Sequence, residues 1–164
     1  MASITRTALV GTAAGLAATE VMDRISMVMY QHTDPANIQR EKEIEEREPP
    51  QVLVQKLERR LGLQLNKQQQ QRLSKLFHYG TGLSAAMLYV ALARRWKLGW
   101  FTGGLAFGTL FWAVFDEGIS PAMGLVGDNT QYPLEAHVRG LAAHVGFGVV
   151  AAALAEVLGA ASEG

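Results

Sequence analysis

The residues in this sequence best equipped for chemistry are its histidines and the acids near them. His144 is followed by Gly146 and Gly148 and an apolar run through Ala151, Ala152 and Leu154. Sixty-six residues earlier His78 is followed in the same way by Gly80 and Gly82, then Ala85, Ala86 and Leu88. Glu20, Asp23 and Arg24 fall within about one helical turn. Asp116 and Glu117 are adjacent, and Glu135, His137 and Arg139 lead into His144. His137 and His144 are seven apart, which places them on one face of a helix.

Three chemistries could use such a set. A bis-histidine haem would take His78 and His144 as axial ligands, with Gly80, Gly82, Gly146 and Gly148 clearing space for the macrocycle. A divalent metal would draw on His137, His144 and carboxylates such as Glu20 or Asp116. No Glu-x-x-His pair of the di-iron bundle type is present. Acids and histidines facing a hydrated cavity would relay protons or hold a small polar solute. The plain alternative outweighs each of these: His78 and His144 bond across the bundle, Arg139 neutralises Asp116 or Glu117, and the network fixes the packing. On that reading no catalytic residue and no cofactor is expected, with haem or a divalent metal as lesser alternatives.

The elements that must position these residues are helices. The 164-residue chain allows one domain, has 49% hydrophobic residues, and contains 17 glycines. Charged residues crowd 31–75 and are sparse over 8–30, 76–93, 98–115 and 138–160. The absence of cysteine excludes disulfides and thiolate metal sites. Zero net charge gives no pull towards nucleic acid, so no nucleic-acid partner is expected. The expected fold is all-α, a four-helix transmembrane bundle of two helical hairpins in a single membrane domain. Its spans cover about 4–30, 76–93, 98–116 and 137–160. The first is a retained helix rather than a signal peptide, because Glu20, Asp23 and Arg24 interrupt its apolar run.

Small residues suit close packing in lipid: Gly11 and Gly15 in the first span, Gly103, Gly104 and Gly108 in the third. The polar connection over 31–75 should itself be helical. Asp34-Pro35 signals a helix start and Pro49-Pro50 a break. Val52, Leu53, Val54, Leu57 and Leu61 recur at helical spacing, giving an amphipathic helix over 51–61 that ends at Gly62. That helix would lie on the membrane surface, cap the bundle, or bind a partner. Four glutamines at 68–71 precede a polar stretch running straight into the second span. Arg94, Arg95 and Lys97 with Trp96, Trp100 and Phe101 mark a tight hairpin at the membrane interface. Residues 119–126 are too apolar for an ordinary loop and suggest a re-entrant turn.

The basic hairpin and Arg6 place both termini in the cytoplasm by the positive-inside rule, whereas nine basic residues between Arg40 and Lys75 argue the other way. In either orientation an antiparallel bundle gathers Glu20, Asp23, His78, Asp116, Glu117, His137, Arg139 and His144 near one membrane face.

Two longer motifs carry a family likeness. Phe115-Asp-Glu-Gly-Ile-Ser-Pro121-Ala-Met-Gly-Leu125 and Tyr132-Pro-Leu-Glu-Ala-His137-Val-Arg139-Gly-Leu-Ala-Ala-His144, with Glu48-Pro-Pro50 and His78-Tyr-Gly80, resemble the YagU-like family of uncharacterised bacterial inner-membrane proteins. The resemblance covers most of the chain and is densest after residue 76; Phe115 stands where glycine would be expected. It implies a small multi-spanning protein of the bacterial inner membrane and supplies no reaction or ligand. The function expected from the whole sequence is a non-enzymatic accessory subunit, with the lipid bilayer and other membrane subunits as partners. A small transporter or proton-handling protein is the alternative, and a haem- or metal-binding membrane protein the third reading.

Overall fold

A computed structural model describes residues 2–96 and 99–158, with no side-chain description before residue 8. The described residues are helical and contain no strand. Lys97, the expected first residue of the third span (Leu98), and the end of the fourth beyond Leu158 lie outside them. Four long segments form the bundle: α1 (Ala2–Gln31), α4 (Lys67–Trp96), α5 (Trp100–Val114) and α7 (Leu134–Val157). Two of these, α4 and α7, are long and apolar enough to cross a membrane. α5 continues without a break through a π-helical turn, Phe115–Ile119, into the short α6, Ser120–Ala122.

The connection is two helices, α2 (Pro35–Ile44) and α3 (Pro49–Leu61). Asp34 caps α2 by accepting from the Ala36 N–H at 2.8 Å, and Pro35 opens the helix where its missing N–H costs nothing. Pro49-Pro50 opens α3 for the same reason, and Gly62 closes it at φ +66°, where a side chain would be strained. α3 buries Val52 and Val54, and Glu58 accepts from Gln70 of α4 at 2.9 Å. α3 thus packs against the start of α4. Lys56 reaches over to donate to the Met123 carbonyl at 2.5 Å, so α3 also covers the 119–126 turn. That turn is short helix and a left-handed Gly124 (φ +60°), with Leu125 buried.

Packing within the bundle follows the small residues. Neighbouring helices run antiparallel in the lateral order α4, α1, α7, α5, and the two outer helices barely touch. A Cβ at Gly15 would come within 2.8 Å of the Leu83 backbone. One at Gly11 would press into Met87, one at Gly82 onto Thr19 and one at Gly146 onto Ile25. Gly103 is buried. The closest approach is between α5 and α7, where Gly104 and Gly108 face Gly148 and the carbonyl of His144, leaving no room for any side chain. Around these contacts Ala18, Ala85, Ala86, Phe147 and Ala151 form one buried cluster, and Val10, Tyr89, Val90, Ala93, Ala152 and Ala155 form another.

Between α2 and α3, Arg47 donates to both carboxylate oxygens of Glu45 (2.8 and 2.9 Å) and also to Gln55. These bonds hold the Glu45 carboxyl below the usual glutamate range. The pair's stabilisation is therefore complete above the ordinary glutamate pKa and is lost as pH falls through the lowered value. In an NMR titration Arg47→Met should return Glu45 to the ordinary range; an unchanged midpoint would contradict the assignment.

The close α5–α7 crossing makes a second prediction. Gly108→Ala and Gly148→Ala should each destabilise the purified protein by about 1–3 kcal/mol, the usual cost of overpacking. Gly80→Ala adds a methyl group to open space and should be neutral or stabilising by up to about 1 kcal/mol, from helix propensity alone. Equal losses in all three would refute the crossing.

Candidate functional site: an acid–histidine layer at one end of the bundle

Antiparallel packing brings together the second half of α1, the first halves of α4 and α7, and the π turn that follows α5. Each helix pair contributes its own contact. Between α1 and α4, His78 Nε2 donates to Asp23 Oδ1 at 2.8 Å, and the Tyr79 hydroxyl donates to Glu20 at 3.4 Å. Glu20 also accepts from Arg24 at 2.9 Å, one turn along the same helix, and both side chains are largely exposed.

The π turn supplies the next two pairs. Its i→i+5 bond, from the Ser120 N–H to the Phe115 carbonyl, inserts one residue into the helical register. Asp116 and Glu117 both engage α7 as a result. Asp116 Oδ2 lies 3.5 Å from His144 Nδ1, which itself donates to the Gly140 carbonyl at 2.9 Å. Glu117 accepts from His137 Nδ1 at 2.7 Å and from the Asn129 side chain at 2.9 Å. His137 Nε2 faces the Asn129 carbonyl at 3.1 Å, so only a doubly protonated ring donates at both nitrogens. His144 is buried with its ring edge against Phe111, centroids 5.2 Å apart. Gly140 provides the space: a Cβ there would lie 3.1 Å from Trp112 Nε1 and 3.3 Å from Asp116 Oδ2.

Arg139 does not neutralise Asp116 or Glu117, as the sequence suggested. Its guanidinium forms a two-pronged pair with Glu41 of α2, and its Cζ stands 5.2 Å from the centre of the Tyr30 ring. Both charged side chains are nearly buried, at 13% and 12% exposure. Asn37 donates to Glu135 alongside at 3.0 Å, so α2 is fastened to the start of α7 by two polar contacts. Glu41 was missed because it lies in a charge-dense stretch that reads as a solvated face. Asn129 was missed because its neighbours read only as turn chemistry. Neither carries a local signal; the pairings join residues 98 and 12 positions apart.

His78 and His144 each pair with a neighbouring element. Each is engaged by a different carboxylate in a different interface, α1–α4 for His78 and π turn–α7 for His144. Among the described residues no three His, Asp or Glu side chains converge as a metal site would require. What the layer can do chemically is hold and exchange protons between imidazole and carboxylate at three places.

Removing one member of the Glu41–Arg139 pair strands a charge in a nearly dry setting. Glu41→Gln and Arg139→Met should each lose about 3–5 kcal/mol in thermal or denaturant unfolding. The double variant Glu41→Leu/Arg139→Met should recover most of that loss. Additive losses in the double variant would show that the two groups act independently.

A family model described as "Protein of unknown function (DUF1440)" matches residues 32–153, which include α2 to the last turns of α7. No curated protein and no solved structure matches the chain. The chain belongs to this uncharacterised family.

Proposed function

We propose that the chain is a four-crossing protein of the bacterial inner membrane, of the YagU-like kind, with both termini on the cytoplasmic side. It acts there as a non-enzymatic accessory subunit packing against other membrane proteins. α4 and α7 supply two crossings. The uninterrupted helix over 100–122 and the 30-residue α1 have the length for the other two. The single domain holds its connection helices, α2 and α3, over the polar end.

One observation carries the accessory reading. The acids and histidines of the layer are turned onto partners within the chain: Asp23 with His78, Asp116 with His144, Glu117 with His137 and Glu41 with Arg139. None of them lines the apolar cleft of about 640 Å³ between α4 and α5. Pairs arranged this way can fix a packing without contacting a substrate. Mild solubilisation followed by affinity purification should recover the chain in a larger complex; a clean monomer would overturn the accessory role.

A second reading is favoured by the π turn, which delivers two consecutive acids to two histidines. In a membrane, ionisable groups so placed are costly and are commonly used to move protons. On this reading proteoliposomes loaded with a pH dye show a leak that Asp116→Asn and His144→Ala abolish. Parent vesicles that hold their gradient would dispose of it.

A further inference from the structure

α4 and α5 are consecutive in sequence, yet they splay apart and make little contact. They meet near the hairpin, where Tyr89 and Phe107 touch edge to face with centroids 5.4 Å apart. Away from that contact the gap widens into the apolar cleft. Gly80, Ser84 and Leu88 form part of one wall, and Phe107, Phe111 and Phe115 part of the other. A Cβ at Gly80 would meet nothing within 4 Å, and the Ser84 hydroxyl is turned back on the Gly80 carbonyl at 2.8 Å. The walls thus offer an occupant no polar group in need of a partner.

The hairpin end of the same face is cationic. Arg95 follows Leu88 by seven residues and Leu92 by three, so it continues the cleft-lining face of α4. Its side chain is exposed and has no partner among the described residues. Trp96, Trp100 and Phe101 are exposed beside it, the aromatic composition of a headgroup-level belt.

We infer that the α4–α5 cleft binds a glycerophospholipid, one acyl chain lying in the cleft and the phosphate meeting Arg95. This rests on the membrane reading above and names a partner for it. The dimensions agree. From Leu76 to Leu92 the α4 wall is about 24 Å long at the helical rise. One leaflet of hydrocarbon is about 15 Å deep, half the bilayer core. A chain anchored at Arg95 therefore ends near the level of Ala85, where the wall is made of small side chains. An arginine beside an apolar slot recognises a phosphodiester through charge-assisted hydrogen bonds, which a neutral lipid cannot return.

Native mass spectrometry of the full chain tests the assignment. Delipidated protein in detergent is given phosphatidylglycerol or a diacylglycerol with the same acyl chains. The parent should retain one phosphatidylglycerol and little diacylglycerol. Arg95→Gln, an exposed change, should lower phosphatidylglycerol retention at least about tenfold, the worth of one charge-assisted hydrogen bond. Leu88→Trp, within the reach of the chain, should narrow the cleft and lower retention of both lipids. Equal retention of the two lipids by the parent, or unchanged retention in Arg95→Gln and Leu88→Trp, would overturn the proposal. A membrane-fraction protein that retains neither lipid overturns this assignment alone. Recovery of the chain from the soluble fraction overturns the membrane reading and the lipid site together.

Discussion

Backbone-to-backbone contact between α5 and α7 is the constraint on which the rest of the molecule depends. Gly104 and Gly108 lie against Gly148 and the His144 carbonyl with no space for a side chain on either helix. Helices held apart by leucine-sized residues would not bring Asp116 within 3.5 Å of His144 or Glu117 within 2.7 Å of His137. The same crossing draws α7 between α1 and α5, with α4 on the far side of α1. That order leaves α4 and α5 apart and opens the cleft. Small side chains thus determine both the closed polar end and the open apolar side.

The polar end is a set of separate locks rather than one network. Asp23–His78 joins α1 to α4, the two π-turn pairs join the end of α5 to α7, and Glu41–Arg139 joins α2 to α7. Each couples elements that apolar contacts would leave free to slide. Burial costs such pairs much of their attraction, so their contribution is to fix the arrangement more than to add stability. Thr19, buried with its hydroxyl unpartnered against Gly82, shows that the bundle interior tolerates an unsatisfied polar atom where helices must come close.

Much of this was legible in the sequence because its signals are local. Asp34-Pro35, Pro49-Pro50 and Gly62 each mark a helix boundary where one forms, since capping and proline geometry act over a few residues. The amphipathic period of α3 and the junction-free run of α4 were equally readable. The π turn was not, because nothing in Phe115–Ile119 distinguishes it from ordinary helix; only its effect on where Asp116 and Glu117 lie reveals it. The partner of Arg139 was misread, and that of His78 left unnamed, for a different reason. Periodicity gives the face of a helix but not which helix lies against it, and the order α4, α1, α7, α5 decides that His78 meets Asp23 and not His144.

Lipid as the solvent around this bundle is the central claim, and introduced cysteines test it most directly because the chain has none of its own. Single cysteines at Leu88, Leu110 and Val145 should resist a membrane-impermeant maleimide in intact membranes and become reactive after detergent treatment or denaturation. Cysteines at Gln39, in α2, and Gln68, in the polar first turn of α4, should react from one side only. Rapid labelling at Leu88 and Leu110 in untreated membranes, two positions exposed on the protein itself, would mean that water surrounds these helices and would contradict the account.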